Sequence, residues 1–207
     1  MTASGGSSRR SNGTAKRVDD LVVRTFFEAH RAIESTGLLY AVMGGYALNA
    51  WGVPRATFDF DFAVLAQDGA SERVLEALAG ARFDVPREYR EGYVQVVDGT
   101  KMLKAFALLD GCRVAPVDVF LFASPLQRSA LARRQPIEVL GRGMWVISAA
   151  DLLLFKLLAY RGKDRIDVLN VLEVQGVPDP EYVRDWARRL GIEERFDEAL
   201  EATGLAG

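Results

Sequence analysis

Apolar residues recur along this chain at two different periods, and the change from one to the other divides it into two parts. From Val18 to Ser35, Leu21, Val22, Phe26, Ala29 and Ile33 fall at helical spacing and Gly37 follows as a stop, which predicts a helix. Leu38 to Met43 is a short apolar run that reads as a strand. It meets a tight turn at Gly44-Gly45, followed by a short helix over Tyr46–Trp51 that Gly52 closes. Phe58 to Leu65 alternates, with Phe58, Phe60, Phe62 and Val64 on one side and Asp59, Asp61, Ala63 and Leu65 on the other, as a strand does. A capped amphipathic helix is expected over Ser71–Gly80. Strands follow over Tyr93–Val97, Lys101–Leu109 and Arg113–Phe122, with turns at Asp98-Gly99 and Asp110-Gly111. Pro125–Arg134 reads as helical, and Ile137–Leu140 with Met144–Ile147 as a hairpin about Gly141–Gly143. Beyond that point only the helical period remains. Ser148 and Asp151 stand three apart as in a capping box, and helices are expected at 149–160, 164–175, 179–190 and 193–202.

The order is that of an α+β protein: a mixed α/β core over 18–147, with a helical part over 148–207 and nothing resembling a linker between them. Residues 1–17, rich in Ser, Gly, Thr and Arg, read as a disordered tail. The 207 residues, 49% of them hydrophobic, suffice for a sizeable core. The net charge of -2 signals no nucleic-acid binder, but the charge is unevenly placed. Residues 1–17 carry four basic side chains (Arg9, Arg10, Lys16, Arg17) and no acid, and residues 124–165 carry eight basic against three acidic. A basic region in an acidic protein suits an anionic substrate such as a nucleotide or an RNA end; the plainer alternative is a set of solvated helix faces. Cys112 is the only cysteine, so no disulfide forms within the chain. No apolar stretch follows the N-terminal basic residues and the longest apolar run, Leu152–Tyr160, is interrupted by Lys156. No membrane association is therefore expected, and a cytoplasmic location is.

The first chemistry lies in the alternating strand. Carboxylates at i and i+2 share a face, so Asp59 and Asp61 would stand side by side and repel unless a cation lies between them. Mg²⁺ (or Mn²⁺) suits such a pair, because it takes oxygen ligands and keeps positions for water and phosphate. A D-x-D alone is also what two solvated acids at a strand end look like. Gly44-Gly45, between a strand and a short helix, would let backbone N–H groups approach phosphate oxygens, although a simple tight turn has the same appearance.

Joined, the string GGYALNAWGVPRATFDFDF from Gly44 to Phe62 is far more specific. It resembles the signature of the polymerase-β-type nucleotidyltransferase superfamily, and is most similar to the branch of the AbiEii-type toxins of type IV toxin–antitoxin systems. Gly45 stands where many members of the superfamily have Ser; the AbiEii-type branch commonly has Gly. The resemblance covers roughly residues 38–172. It implies a mixed β-sheet nucleotidyltransferase core with flanking helices and a C-terminal helical segment closing the same site. It also implies an NTP bound through Gly44, Gly45, Arg55 and Thr57, with Asp59 and Asp61 as catalytic metal ligands. A third carboxylate is required on a later strand, and Asp118 supplies it, as second-metal ligand or general base. It is the only charge in Ala115–Ala123, costly there unless paired or metal-bound.

A second constellation, Lys156, Arg161, Lys163, Asp164 and Asp167 in DLLLFKLLAYRGKDRIDVL, resembles the K…R-x-K-D-x-x-D segment of the same branch. The resemblance implies that Lys156 meets the triphosphate and that the later residues complete the nucleotide site. Lys156 snorkelling to the surface and Asp164 capping its helix are the plain alternatives. The implied reaction transfers NMP from an NTP to an acceptor hydroxyl of RNA (a tRNA) or protein, with a cognate antitoxin or toxin as partner. Three other readings stay open: a small-molecule (antibiotic) adenylyltransferase, a nucleotidyltransferase-like antitoxin that modifies a toxin, and a non-catalytic binding module. His30, the only histidine, reads as a surface residue. No His/Cys cluster exists for zinc, and Ser148 lacks a His partner for hydrolase chemistry. Trp51, Trp145 and Trp186 read as core or part-core residues rather than base-stacking platforms.

Overall fold

The computed structural model describes residues 9–91, 94–95, 99–109 and 112–206, and of residues 9–20, 94–95 and 109 the backbone alone. The first helix, α1, spans Arg9–Ser35, so the helix begins nine residues N-terminal to Val18, within the expected tail. Residues 1–8 lie outside the described residues. Strand β1 (Tyr40–Val42) and helix α2 (Gly44–Ala50) lead to β2 (Phe60–Leu65) and α3 (Ala70–Gly80). Then come α4 (Arg87–Glu91), β3 (Val94–Gln95), β4 (Lys101–Leu109), β5 (Cys112–Phe122), α5 (Pro125–Ala132), β6 (Gln135–Val139) and β7 (Arg142–Val146). The helical part is α6 (Ala149–Ala159), α7 (Gly162–Gln175), α8 (Pro180–Leu190) and α9 (Glu193–Thr203). No described helix is long and apolar enough to cross a membrane.

The strands form one mixed sheet in the order β3-β4-β5-β2-β1-β7-β6. β2 runs parallel to β5 and antiparallel to β1, and β7 lies parallel to β1. The period-two pattern of β2 decides which side is which. Phe60 and Phe62 point to α1, where Phe26 lies 5.5 and 5.9 Å from their ring centres and stacks on Tyr46 at 4.4 Å. The residue between them, Asp61, points to the opposite side, which α6 covers with buried Leu152 and with Phe155, 5.2 Å from Phe122.

Several expectations are corrected in detail. Phe58 precedes β2 and is 72% exposed rather than on the core side, because ladder pairing begins only at Phe60. Helix α3 is preceded by Gly69 in the left-handed conformation and has no side-chain cap. His30 is buried, its Nε2 2.8 Å from the Tyr40 hydroxyl. Trp145 lies exposed on β7 under the Arg134 guanidinium, because β6–β7 forms the sheet's outer edge. The five-residue helix α4 was not foreseen; of its side chains only Tyr89 is buried, too little to make a period. Within the expected Tyr93–Val97 strand only Val94–Gln95 is described, and Asp98, Asp110 and Gly111 of the expected turns lie outside the described residues.

Candidate active site

The two glycines of the turn are required by what packs on them. Gly44 has φ +63°, and a Cβ there would overlap the Asp61 carboxylate, 2.6 Å from its Cγ. A Cβ on Gly45 would lie 2.5 Å from the Thr57 Cβ. The turn is tied to β2 by the Met43 N–H, which donates to the Asp61 carbonyl at 2.9 Å. The loop between α2 and β2 is braced by Asn49, whose amide donates to the Arg55 carbonyl at 2.9 Å and whose carbonyl accepts from the Arg55 N–H at 2.8 Å. Nothing in the sequence marked Asn49 for this role.

Sheet register then brings the acids together. On β5, Asp118 has Asp61 of β2 as its neighbour on one side and Lys104 of β4 on the other. Burial, and then the charges of Asp118 and Asp59, push the Asp61 carboxyl up to about 6, while Lys156 and Lys163 work against the rise. Asp118 is also raised, first by burial; Lys104 opposes this. The Lys104 ammonium is in ion contact with Asp118 Oδ1, a buried oxygen with no other partner among the described residues. Lys104 was missed because its partner is set by register with a distant strand, which linear spacing does not show.

The helical part supplies the cations. Lys156 on α6 bonds Asp164 Oδ1 at 3.0 Å and Asp167 Oδ2 at 2.8 Å, so its amine is neutralised from below by α7. Arg161 reaches Asp164 at 2.6 Å, and Arg55 pairs with Asp167. Burial pushes the Asp164 carboxyl up, but Arg161 and Lys156 outweigh this and hold it below the usual range. Asp164 also accepts the Arg161 N–H at 3.2 Å and so caps α7 as well. Lys163 has no ion pair among the described residues.

One cleft of ≈ 350 Å³ is lined by Gly44, Gly45, Arg55, Thr57, Asp59, Asp61 and Asp118 from the sheet part, and by Lys156, Arg161, Lys163 and Asp164 from the helical part. Asp167 does not line it and lies beneath Lys156 and Arg55. Met102, Phe120, Phe122, Leu152, Phe155 and Leu158 make the other end of the cleft apolar. The donor set fits a hard cation: the acids offer only oxygens, and the largely buried Asp61 carboxylate is held against Gly44 with Asp59 beside it. Among the described residues, no three acids, histidines or cysteines converge as a ready-made metal cluster.

No protein-family model and no curated protein matches the sequence. The solution structure of the antibiotic-resistance factor ANT(2'')-Ia does match in fold, with a TM-score of 0.53 over 88% of this chain and 98% of that one, at 14% identity. The fold is that of the nucleotidyltransferases. The crystal structure of an antigenic nucleotidyltransferase-like protein from Paracoccidioides brasiliensis aligns more loosely, with a TM-score of 0.46 over 89% of this chain and 93% of that one, at 17% identity. Within the nucleotidyltransferase fold, the cleft described above lies where β2 and β5 run side by side, between the sheet and α6.

Proposed function

We propose that the protein is a cytoplasmic, Mg²⁺- or Mn²⁺-dependent nucleotidyltransferase that moves an NMP from an NTP to an acceptor hydroxyl. The observation that carries this reading is the meeting, in one cleft, of three carboxylates and a double-glycine turn with the cations of α6 and α7. Asp59 and Asp61 would hold the cation, with Asp118 beside them. When bound, the cation would supply charge for the phosphates and the departing pyrophosphate. The chain's own residues do the rest. Gly44 and Gly45 let the phosphates come close to the backbone, and Lys163 and Arg161 offset their charge. Asp118 takes the acceptor's proton as the new O–Pα bond forms and the bond from Pα to pyrophosphate breaks. The motif residues Gly44–Phe62 and Lys156–Asp167 support a place in the AbiEii-type branch, with RNA (tRNA) or protein as acceptor and a toxin–antitoxin partner.

A specific observation favours a second reading, a small-molecule acceptor. A neighbouring cavity of ≈ 610 Å³ shares Thr100, Gln127, Phe155 and Leu158 with the cleft and extends it past α5 and α3. Among the described residues Asp68 is the only carboxylate on its wall, which suits an uncharged hydroxyl compound better than a polycationic antibiotic. The test is to incubate the full chain with each α-labelled NTP and Mg²⁺ or Mn²⁺, in separate arms with total RNA, cell protein and a panel of small hydroxyl compounds. Label should pass to one acceptor class with release of pyrophosphate, and Asp59→Asn or Asp61→Asn should abolish it. NTP binding without transfer in any arm would instead indicate a non-catalytic binding module.

A further inference from the structure

Asp118 has a cation already. Lys104 is its direct partner across β4 and β5, with the ammonium against Oδ1 and 5.7 Å from the centre of the Phe106 ring, a second attraction that keeps the amine in place. Both side chains are largely buried, 22% and 15% exposed, so the pair is poorly screened by water. Lys104 does not line the cleft, whereas Asp118 does. The carboxylate therefore lies between a fixed cation behind it and the substrate space in front. A divalent ion bridging Asp118 and Asp61 would have to share that carboxylate with the ammonium, against like-charge repulsion in a partly desolvated site.

We propose that Lys104 is the resident counter-cation of Asp118, so that the site takes one divalent cation on Asp59 and Asp61 and leaves Asp118 outside its coordination. Lys104 is thus a positioning residue: it holds Asp118 as the anion that receives the acceptor's proton. This rests on the nucleotidyl-transfer reading and decides the role of Asp118 within it.

The test counts Mn²⁺ bound to the full chain by the electron paramagnetic resonance of the free ion and by calorimetry. Wild type should bind one Mn²⁺. Lys104→Met should bind two, or tighten a second site by about tenfold or more, and Lys104→Arg should stay at one. Asp118→Asn should weaken the first site by less than about a hundredfold, as the loss of a neighbouring charge that does not ligate the ion does, and this arm stands even if Lys104→Met folds poorly. Two Mn²⁺ on wild type, or a loss of more than about a hundredfold in Asp118→Asn, would overturn the proposal and leave nucleotidyl transfer intact. No Mn²⁺ on wild type, together with no label transfer from any NTP, would sink both.

Discussion

Asp61 sits where three influences meet: a backbone with no side chain to spare at Gly44, a like charge across the β2–β5 ladder, and cations arriving from α6 and α7. Its carboxyl is raised from 3.8 to about 6 in the folded chain, so the fold holds this proton more tightly than the unfolded chain does. The stabilising contribution is therefore full below about pH 4 and is lost as pH rises to about 6; above that the loss is constant. A shift of about 2 units corresponds to about 3 kcal/mol at most. In EDTA, Asp61→Asn should melt higher than wild type at pH 7, and the gap should close as the pH falls toward 4; Mg²⁺ should raise the wild type alone. A gap independent of pH would show that the carboxyl is not perturbed. Period two marked the pair Asp59–Asp61, and both line the cleft, although Asp59 stands just before β2 begins at Phe60. The cost of the arrangement was not legible, since it depends on Asp118 being brought alongside by strand order.

At the scale of elements, α6 and α7 form a clamp whose charges are mostly spent on each other. The resemblance implied that Lys156 meets the triphosphate. Its anions are Asp164 and Asp167, one turn apart on α7, an arrangement that depends on how the two helices pack and so is hidden from linear spacing. Lys156→Ala leaves two buried carboxylates short of a partner and should cost about 3–5 kcal/mol in stability, as breaking a buried pair does. Lys163, which lines the cleft, is the cleaner probe of phosphate binding. Lys163→Ala should change stability by no more than about 0.5 kcal/mol yet weaken NTP–Mg²⁺ binding by roughly 1.5–3 kcal/mol. Thermal melts and NTP titrations on the two variants separate the roles. Unchanged stability with lost affinity in Lys156→Ala would return the phosphate to Lys156. The same distinction explains which elements could be read from sequence. The long helices and β4 were visible through their own period, while α4 and the start of β2 depend on partners elsewhere.

At the scale of the whole molecule, the change of period near residue 147 marks a change of secondary structure but not of core. The buried apolar residues of both parts form one cluster, from Phe26 through Phe62 and Phe122 to Leu153, Leu172 and Phe196. Polar links cross the same boundary: the Gln175 amide donates to the Trp51 carbonyl at 2.6 Å, and Arg55 pairs with Asp167. Without α6, the sheet face that carries Phe120 and Phe122 would be open to water, and Asp61 would lose the cations opposite it. Leu152, Leu153, Leu154 and Leu157 are all buried, and at about 1.5–3 kcal/mol each their exposure would exceed the whole margin of stability of many domains. The chain should therefore unfold in one transition, with calorimetric and van't Hoff enthalpies equal. A fragment of residues 18–147 should lack dispersed amide NMR signals and should not bind NTP. Adding a 148–207 peptide should restore both, because the missing face is supplied in trans. A folded 18–147 fragment would make the sheet part autonomous, and the helical part would then be a lid over a site that already exists rather than one wall of it.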